Sequence, residues 1–331
     1  MSKPILLALL TPLFVLPLSE DSCSSSGTPT PEVTPTPSPN EGPNTTVVAL
    51  SQVHQQFGNG DTRTVNVPVS FPEEALFYQK ITMTYTLTCP SGGCDPWDRL
   101  AMVQVVKDAG TPQEVAIEVG RYVTPYGVGG SWTVDVTDLR PILAGSRTVR
   151  SFIDTWVNPG WLVDVSFDFV GGTPTRRAVQ VLPLLSGYVG YGDPNNPPDN
   201  HLPEKQVALP SQLSGAKLWV FATGHGFGAT ENCAEFCQKQ HTLVFNGTSD
   251  VQIPWRDDCR TAGVPDQSGT FWYSRAGWCP GDDVVPRTWD VSTLVQAGST
   301  ATFDYGLQAY TNLETDVSPY WALSAALIIY E

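Results

Sequence analysis

The segment C-P-S-G-G-C-D-P-W-D-R, which begins at Cys89, brings a carboxylate, an indole, a second carboxylate and a guanidinium together within five residues. Carboxylates can orient and deprotonate a water molecule, and a guanidinium can stabilise negative charge on oxygen. A bond between Cys89 and Cys94 would close a short loop and contribute roughly 2 kcal/mol. A loop this short adds little to the stability of the fold, so we interpret the bond as a clamp that fixes where the side chains of Trp97, Asp98 and Arg99 point. The alternative is a stapled hairpin tip whose charges are solvated.

A second candidate site follows the pattern H-x7-C-x3-C-x3-H, from His225 through Cys233 and Cys237 to His241. Two histidines and two cysteines could hold zinc. However, thiols oxidise in an exported chain, and a turn with a three-residue spacer brings the two Cα atoms within disulfide range. We therefore favour a disulfide, and we predict no metal and no cofactor. Glu235 then lies inside a locked ring, as the second aspartate of the first segment lies beside one, and this parallel pairs the two carboxylates.

β-Strands are predicted to position both segments. The run at 81–88, just before the first segment, alternates apolar residues with threonine, as a half-buried strand requires. The same alternation recurs at 163–169 and at 303–309. Apart from a short turn near 139–143, no long stretch has helical periodicity. The pattern predicts an all-β chain built from β-sandwiches.

An internal echo indicates how many sandwiches there are. D-V-T-D-L at 135–139, followed by A-G-S, returns 155 residues later as D-V-S-T-L at 290–294, again followed by A-G-S. We interpret the echo as one structural feature used once in each of two similar domains. The seam is expected near the G-G-T-P sequence at 171–174, which gives a first domain at 46–174 and a second at 175–331.

The composition excludes some classes of partner. The net charge is −15 and the sequence pI is about 4.5, which argues against a nucleic-acid groove and against binding to an anionic membrane surface. The 29 glycines, 29 prolines and ten tryptophans favour many short strands and turns over helical bundles. We expect no nucleic-acid partner.

The N-terminus is typical of an export signal. Lys3 precedes an apolar run at 5–18 that is too short and too broken to span a bilayer. We assign 1–22 to the signal and the Pro/Thr/Ser-rich stretch 23–45 to a tether that cannot build a core. Cys23, between them, matches a lipid-attachment site, although the preceding E-D-S is untypical. Two outcomes remain open: the protein is exported without a lipid, or it is anchored at the cell surface through a lipid on Cys23. No segment is expected to span a membrane.

The cysteine count supports this division. Seven cysteines leave one unpaired, and Cys23 is the outlier. The remaining six indicate local disulfides in an oxidising compartment, that is, a secreted, periplasmic or surface location. They form three neighbouring pairs: Cys89 with Cys94, Cys233 with Cys237, and Cys259 with Cys279.

Five motifs occurring in order resemble those of the bacterial peptide:N-glycosidase F family, amidases that remove N-linked glycans from asparagine. They are C-P-S-G-G-C-D-P-W-D-R at 89–99, G-R-Y-V-T-P-Y at 120–126, D-T-W at 154–156, C-A-E-F-C at 233–237 and R-A-G-W-C-P-G at 275–281. The resemblance covers roughly residue 46 to the C-terminus. It implies two adjacent antiparallel jelly-roll domains with the site at their interface, a substrate that is an N-glycosylated protein or glycopeptide, and a chain that acts as a monomer without a metal.

The resemblance also assigns residues to roles. Asp98 matches the primary catalytic aspartate, Glu235 the essential glutamate, and Asp154 a third carboxylate that is usually a glutamate. Thr223 and Gly127 stand where the family has aromatic residues, which bears on rate and glycan preference. Contacts with the core sugars or the amide are expected from Trp97, Arg99, Trp156, Arg275 and Trp278.

Two other functions are compatible with the same residues. A glycoside hydrolase also uses two carboxylates and would cleave between sugars. A tethered glycan-binding protein would need none of the chemistry, and the departures from the family's aromatic residues favour it. At the level of single residues, a tryptophan is more often core than sugar platform, and Asp154 and Arg275 could form a buried structural pair.

Overall fold

The computed structural model describes residues 40–58 and 60–331. The expected export signal, Cys23 and most of the tether lie outside these residues. Within them the regular secondary structure is almost entirely β-strand, with one short α-helix, α1 (Cys259–Ala262). The first eight strands are β1 (Thr45–Gln55), β2 (Thr64–Ser70), β3 (Tyr78–Thr88), β4 (Leu100–Lys107), β5 (Val115–Val123), β6 (Gly130–Asp135), β7 (Ser146–Ile153) and β8 (Trp161–Gly171). The others are β9 (Ala178–Gly190), β10 (Lys205–Ala208), β11 (Gly215–His225), β12 (His241–Phe245), β13 (Thr248–Gln252), β14 (Asp282–Asp283), β15 (Arg287–Asp290), β16 (Thr300–Leu307) and β17 (Tyr320–Tyr330).

The strand before the first motif forms because its alternation matches the pleat. Successive side chains of a strand point to opposite faces, so the apolar residues of β3 are buried while its threonines face outward. β3 pairs antiparallel with β8, and Met83 lies opposite Phe167 in the core. The sequence-based strands at 81–88 and 163–169 are confirmed, whereas the late strand ends at Leu307, two residues before the predicted end.

The sheets form two jelly rolls of the same topology. In the first, sheet β1-β8-β3-β6 and sheet β14-β5-β4-β7-β2 contribute to one buried apolar cluster. In the second, sheets β9-β17-β11-β15 and β10-β16-β12-β13 repeat this order except for β14, a two-residue strand from the second half of the chain that pairs with β5 of the first. The two-jelly-roll prediction is confirmed. The β3–β4 connection, which carries the first motif, is therefore equivalent to the β11–β12 connection, which carries the second.

The sequence echo corresponds to equivalent turns in the two halves. A 3-10 turn follows β6 at Thr137–Leu139, and another follows β15 at Ser292–Leu294. In each, the strand's final aspartate accepts a hydrogen bond from the backbone N–H two residues later, at 3.0 Å for Asp135 and 2.9 Å for Asp290. The repeated D-V-[ST] is thus an Asx-type turn that ends the same strand twice.

A buried ion pair ties the two jelly rolls together. Arg121 of β5 donates to both carboxylate oxygens of Glu118, at 2.7 and 2.8 Å. It also crosses to the second half, donating to Thr223 Oγ1 at 2.9 Å and to the carbonyl of Ala322 at 2.6 Å. Ser324 donates to Glu118 from the same side at 2.7 Å. A buried charge pair is tolerated when its hydrogen bonds are satisfied, so this network favours one docking geometry.

The last residues assigned to the tether pack against the first jelly roll. Phe77 N–H donates to the carbonyl of Asn40 at 2.6 Å, and Gly42 N–H donates to the carbonyl of Phe77 at 3.0 Å. Asn44 accepts from Gly171 N–H at 2.8 Å. A side chain at Gly42 would collide with the ring of Tyr78.

The two jelly rolls are joined by the short connection between β8 and β9, residues 172–177, and β1 begins the first of them at Thr45. We keep the proposed domain boundary at 174/175, within this connection.

No helix among residues 40–58 and 60–331 combines the length and the apolar content that crossing a membrane requires.

Candidate active site

A cleft of about 240 Å³ receives residues from both jelly rolls. The first contributes the β3–β4 connection and the loop that follows β7. The second contributes the end of β11, the loop to β12, the long β13–β14 loop and the start of β17. The side chains that carry chemistry or aromatic surface are Asp98, Arg99, Asp154, Trp156, His225, Phe227, Glu235, Trp278 and Tyr320. The site therefore depends on the docking of the two halves.

One guanidinium joins the two principal carboxylates. Arg275 Nε donates to Glu235 Oε1 at 3.1 Å, and Arg275 Nη2 lies 3.7 Å from Asp98 Oδ2. Arg275 is only 1% exposed, and Nη1 donates to the carbonyl of Tyr273 at 2.9 Å. The structure thus brings Asp98 and Glu235 together, as the parallel between the motifs predicted. Pairing of Asp154 with Arg275 is wrong.

The two carboxylates, when both are ionised, carry more negative charge than the one guanidinium between them can neutralise. Burial, together with the negative charge of Asp98, raises the pKa of Glu235 from an ordinary 4.5 to about 7, although Arg275 opposes the shift. Burial also raises the pKa of Asp98, again against the attraction of Arg275. Because one guanidinium cannot neutralise both, the pair can hold a proton near neutral pH. A site with one ionised and one protonated carboxyl can act as base and acid together.

Asp95 organises the first motif and was not identified from the sequence as a site residue. Its fully buried carboxylate accepts from Arg99 Nε at 2.8 Å, from Thr155 Oγ1 at 2.6 Å and from the backbone N–H of Trp97 at 2.9 Å. The last contact is an Asx turn, for which D-P-W is a recognisable signal. Asp95 therefore holds Arg99 at the cleft and ties the loop after β7 to the β3–β4 connection.

Asp154 also lines the cleft, directly after β7, and its N–H donates to the carbonyl of Leu100 at 2.9 Å. Burial raises the pKa of Asp154, and the positive charges of Arg63 and Arg99 oppose the shift. Nearby Trp156 is 55% exposed, with the guanidinium carbon of Arg63 4.2 Å from its ring centroid. This cation–π contact fixes the indole. The sequence had no signal for Arg63, because it comes from the distant β1–β2 connection.

A stack of aromatic rings forms another wall of the cleft. Trp278 stacks on His225 at 5.3 Å, and His225 stacks on Tyr320 at 5.2 Å. Burial lowers the pKa of His225 to about 3, so its imidazole is neutral. Thr223 is fully buried beneath this wall and donates to or accepts from His225 Nε2 at 2.8 Å. Thr223 therefore does not line the cleft, whereas His225, two residues later, does.

Three other residues that the sequence analysis singled out do not line the cleft. Trp97 is 56% exposed but is not among the residues lining the cleft. Arg275 is buried behind the carboxylates and is placed to orient them. Gly127 has φ +73°, a conformation that favours glycine, and its N–H donates to the carbonyl of Asp95 at 3.1 Å. Gly127 thus supports the backbone of the first motif, although the family has an aromatic residue at this position.

Disulfides lock both motif loops. Cys89 is joined to Cys94, Cys233 to Cys237 and Cys259 to Cys279, as predicted. Cys233 and Cys237 are thus not thiolates, which excludes the zinc site that their spacing allowed. His241 Nδ1 instead shares a 2.6 Å hydrogen bond with the hydroxyl of Tyr305.

Comparisons with known proteins agree with this architecture. Residues 109–169 match the family model described as "Peptide-N-glycosidase F, N terminal", and residues 196–328 match "Peptide-N-glycosidase F, C terminal". The chain is 30% identical over 296 residues to peptide-N(4)-(N-acetyl-beta-D-glucosaminyl)asparagine amidase F of Elizabethkingia miricola, covering 85% of this chain and 82% of that protein.

Solved structures are similar over nearly the same range. The crystal structure of a peptide-N(4)-(N-acetyl-beta-D-glucosaminyl) asparagine amidase superposes with a TM-score of 0.78 at 28% identity, covering 87% of this chain and 96% of that one. PNGase F, a glycosylasparaginase from Flavobacterium meningosepticum, gives a TM-score of 0.77 at the same identity and coverage.

Proposed function

The chain belongs to the peptide-N-glycosidase F family, and on that premise we propose that its cleft hydrolyses the amide between asparagine and the innermost N-acetylglucosamine of N-linked glycans. The peptide keeps aspartate in place of asparagine, and the glycan leaves as a glycosylamine. The observation that carries the proposal is the Asp98–Arg275–Glu235 cluster, in which equivalent loops of two jelly rolls meet at a shared guanidinium. The substrate is an N-glycosylated protein or glycopeptide.

The two carboxyls are suited to opposite proton-transfer roles. Asp98 orients and deprotonates the attacking water, and Glu235, with a pKa of about 7, holds the proton that the departing nitrogen requires. Arg275 positions both groups. It also stabilises the negative charge that develops on oxygen as the amide carbonyl is attacked. These assignments make Asp98 and Glu235 the catalytic residues.

The remaining side chains are proposed to hold the sugar. The exposed ring of Trp156 offers a surface for the apolar face of N-acetylglucosamine, and Arg99 and Asp154 offer polar contacts to its substituents. Trp278 is only 3% exposed and stacks on His225, so it supports the cleft from behind. Trp97 is exposed outside the cleft, where it could contact a sugar further from the amide. Asp154 is proposed as the third functional carboxylate, supported by its place in the lining of the same cleft as Glu235.

We also propose that the protein is a bacterial, exported monomer anchored through a lipid at Cys23. The three disulfides are consistent with export, because such bonds persist in oxidising compartments. The signal-like run before Cys23 and the Pro-rich stretch after it support the anchor. Metabolic labelling with a fatty acid would test it, and a Cys23→Ser variant should lose the label.

Incubation with a defined N-glycopeptide, followed by mass spectrometry, tests the activity. Amidase action leaves a bare peptide about one mass unit heavier than its asparagine form, because asparagine becomes aspartate. A glycoside hydrolase would leave at least one sugar attached, and a glycan-binding protein would leave the substrate intact. The Asp98→Asn variant is the control, since any product that persists in it does not arise from the proposed centre.

A further inference from the structure

A row of aromatic rings, three of them exposed and the fourth partly buried between them, begins at the cleft on the second jelly roll. We call it the aromatic ridge and define it as Phe227, Phe236, Tyr273 and Trp272. The ring centroids are 6.3 Å apart for Phe227 and Phe236, 6.3 Å for Phe236 and Tyr273, and 5.6 Å for Tyr273 and Trp272. Phe227 is 67% exposed, Tyr273 51% and Trp272 39%. A contiguous exposed apolar surface of this kind marks an interaction site more often than isolated exposed residues do.

The ridge is fastened to the catalytic centre. Phe227 lines the cleft itself, and Phe236 follows Glu235 directly in the chain. The guanidinium carbon of Arg275 lies 5.0 Å from the ring centroid of Phe236, and Arg275 Nη1 donates to the carbonyl of Tyr273 at 2.9 Å. A ligand held on the ridge would therefore be held in register with the group that positions the two catalytic carboxyls.

We propose that the aromatic ridge binds apolar side chains of the polypeptide on either side of the glycosylated asparagine. The inference rests on the proposed function, because the scissile amide joins a sugar to a peptide and the two must leave the centre in different directions. The wall with Arg99, Asp154 and Trp156 supplies the charged and polar groups that a sugar needs. The ridge supplies rings whose only polar groups are one hydroxyl and one indole N–H, which suits apolar residues.

This surface selects a class of substrate. Apolar residues that flank an asparagine are accessible in unfolded or locally unfolded glycoproteins and are largely covered in folded ones. The ridge thus favours glycosylation sites in unfolded, apolar sequence, while the cleft reads the sugar. Two independent contacts on one substrate also raise affinity without any change in the chemistry.

Two glycopeptides with one identical glycan test the proposal, one with leucine and phenylalanine flanking the asparagine and one with glycine and serine. The variant combines Trp272→Ser and Tyr273→Ser, both at exposed positions that do not line the cleft. We expect kcat/KM for the apolar peptide to fall about tenfold, the loss expected when about 55 Å² of apolar area is no longer covered. The value for the glycine–serine peptide should stay within about twofold of wild type. Val251→Ser, on the exposed edge strand β13, is the matched control and should change neither value.

Equal losses on both peptides would overturn the proposal, because they would mean that the ridge contacts the glycan or supports the fold. No loss on either would overturn it as well. Trp272→Ser alone gives a milder second variant if the double variant folds poorly. A glycan-free apolar peptide, titrated into the wild-type protein while tryptophan fluorescence is recorded, should bind weakly, and the Trp272→Ser variant should lose most of the signal. That titration distinguishes the ridge from the proposed activity, which fails separately if wild type cleaves neither glycopeptide.

Discussion

Replacing Glu235 with glutamine should abolish turnover and, at the same time, stabilise the folded protein at alkaline pH. Glu235 is 9% exposed and sits beside a second carboxylate with which it shares the single guanidinium of Arg275. Its ionised form is consequently disfavoured in the folded state by burial and by the charge of Asp98, and only partly favoured by Arg275. Glutamine has the same shape and can still accept a hydrogen bond from Arg275, but it never carries the charge.

The expected size follows from the pKa. A rise from 4.5 to about 7 corresponds to about 3 kcal/mol of folding free energy that the ionised carboxylate costs. Between these two pH values the folded state binds more protons at this position than the unfolded state, so wild-type stability falls as the pH rises through the window. Glu235→Gln lacks this dependence. It should match wild type below pH 4.5 and exceed it by up to about 3 kcal/mol above pH 7.

Urea unfolding at pH 4.5 and pH 8 measures the difference, and thermal unfolding should show a shift of several degrees at pH 8 only. Glu204→Gln, at an exposed position, is the matched control and should show no pH-dependent gain. If Glu235→Gln is instead less stable than wild type at pH 8, the attraction to Arg275 outweighs burial and the repulsion from Asp98. The assignment of Glu235 as the proton-holding carboxyl would then be wrong.

Three further predictions concern the remaining parts of the site and the chain end. Asp98→Asn should reduce turnover to background without lowering the melting temperature, and it should lower the pKa of Glu235 because one neighbouring negative charge is removed; activity within a few-fold of wild type would move the base elsewhere. Asp154→Glu should leave kcat/KM on a defined glycopeptide unchanged or lower, because Arg63 and the loop after β7 already place the shorter carboxylate; a gain of tenfold or more would show that the native site is poorly tuned. A chain that begins at Asn40 should melt like the longer protein, whereas one that begins at Thr46 should lose about 1–3 kcal/mol with the hydrogen bonds of 40–44, and equal melting of the two would show that those contacts contribute nothing.

Much of the architecture could be predicted because it depends on local patterns. Apolar and polar residues alternate in β3 and β8 because one face of each strand is buried. This pattern predicts a strand without any knowledge of the strands that pair with it. The repeated D-V-[ST] is a turn formed by one aspartate and the backbone just after it, so its recurrence predicted two similar halves. Disulfides between cysteines four, five and twenty residues apart likewise depend on short loops.

The pairing of Asp98 with Glu235 was predicted from the parallel between two motifs, and the equivalence of the β3–β4 and β11–β12 connections explains why the parallel holds. The sequence could not show what each residue contacts. Arg275 is the partner that Asp98 and Glu235 share, Asp95 is the buried anchor of Arg99, His225 lines the cleft, and Arg63 lies against Trp156. These contacts arise from tertiary packing. The contact between Arg275 and Asp98 also crosses between the two jelly rolls, whose docking the Arg121–Glu118 network supports. The raised pKa of Glu235 has the same origin, because desolvation and the repulsion from Asp98 exist only once both halves enclose the two carboxylates. The residue types determined by themselves what chemistry was available, and the tertiary structure decided which carboxyl holds the proton.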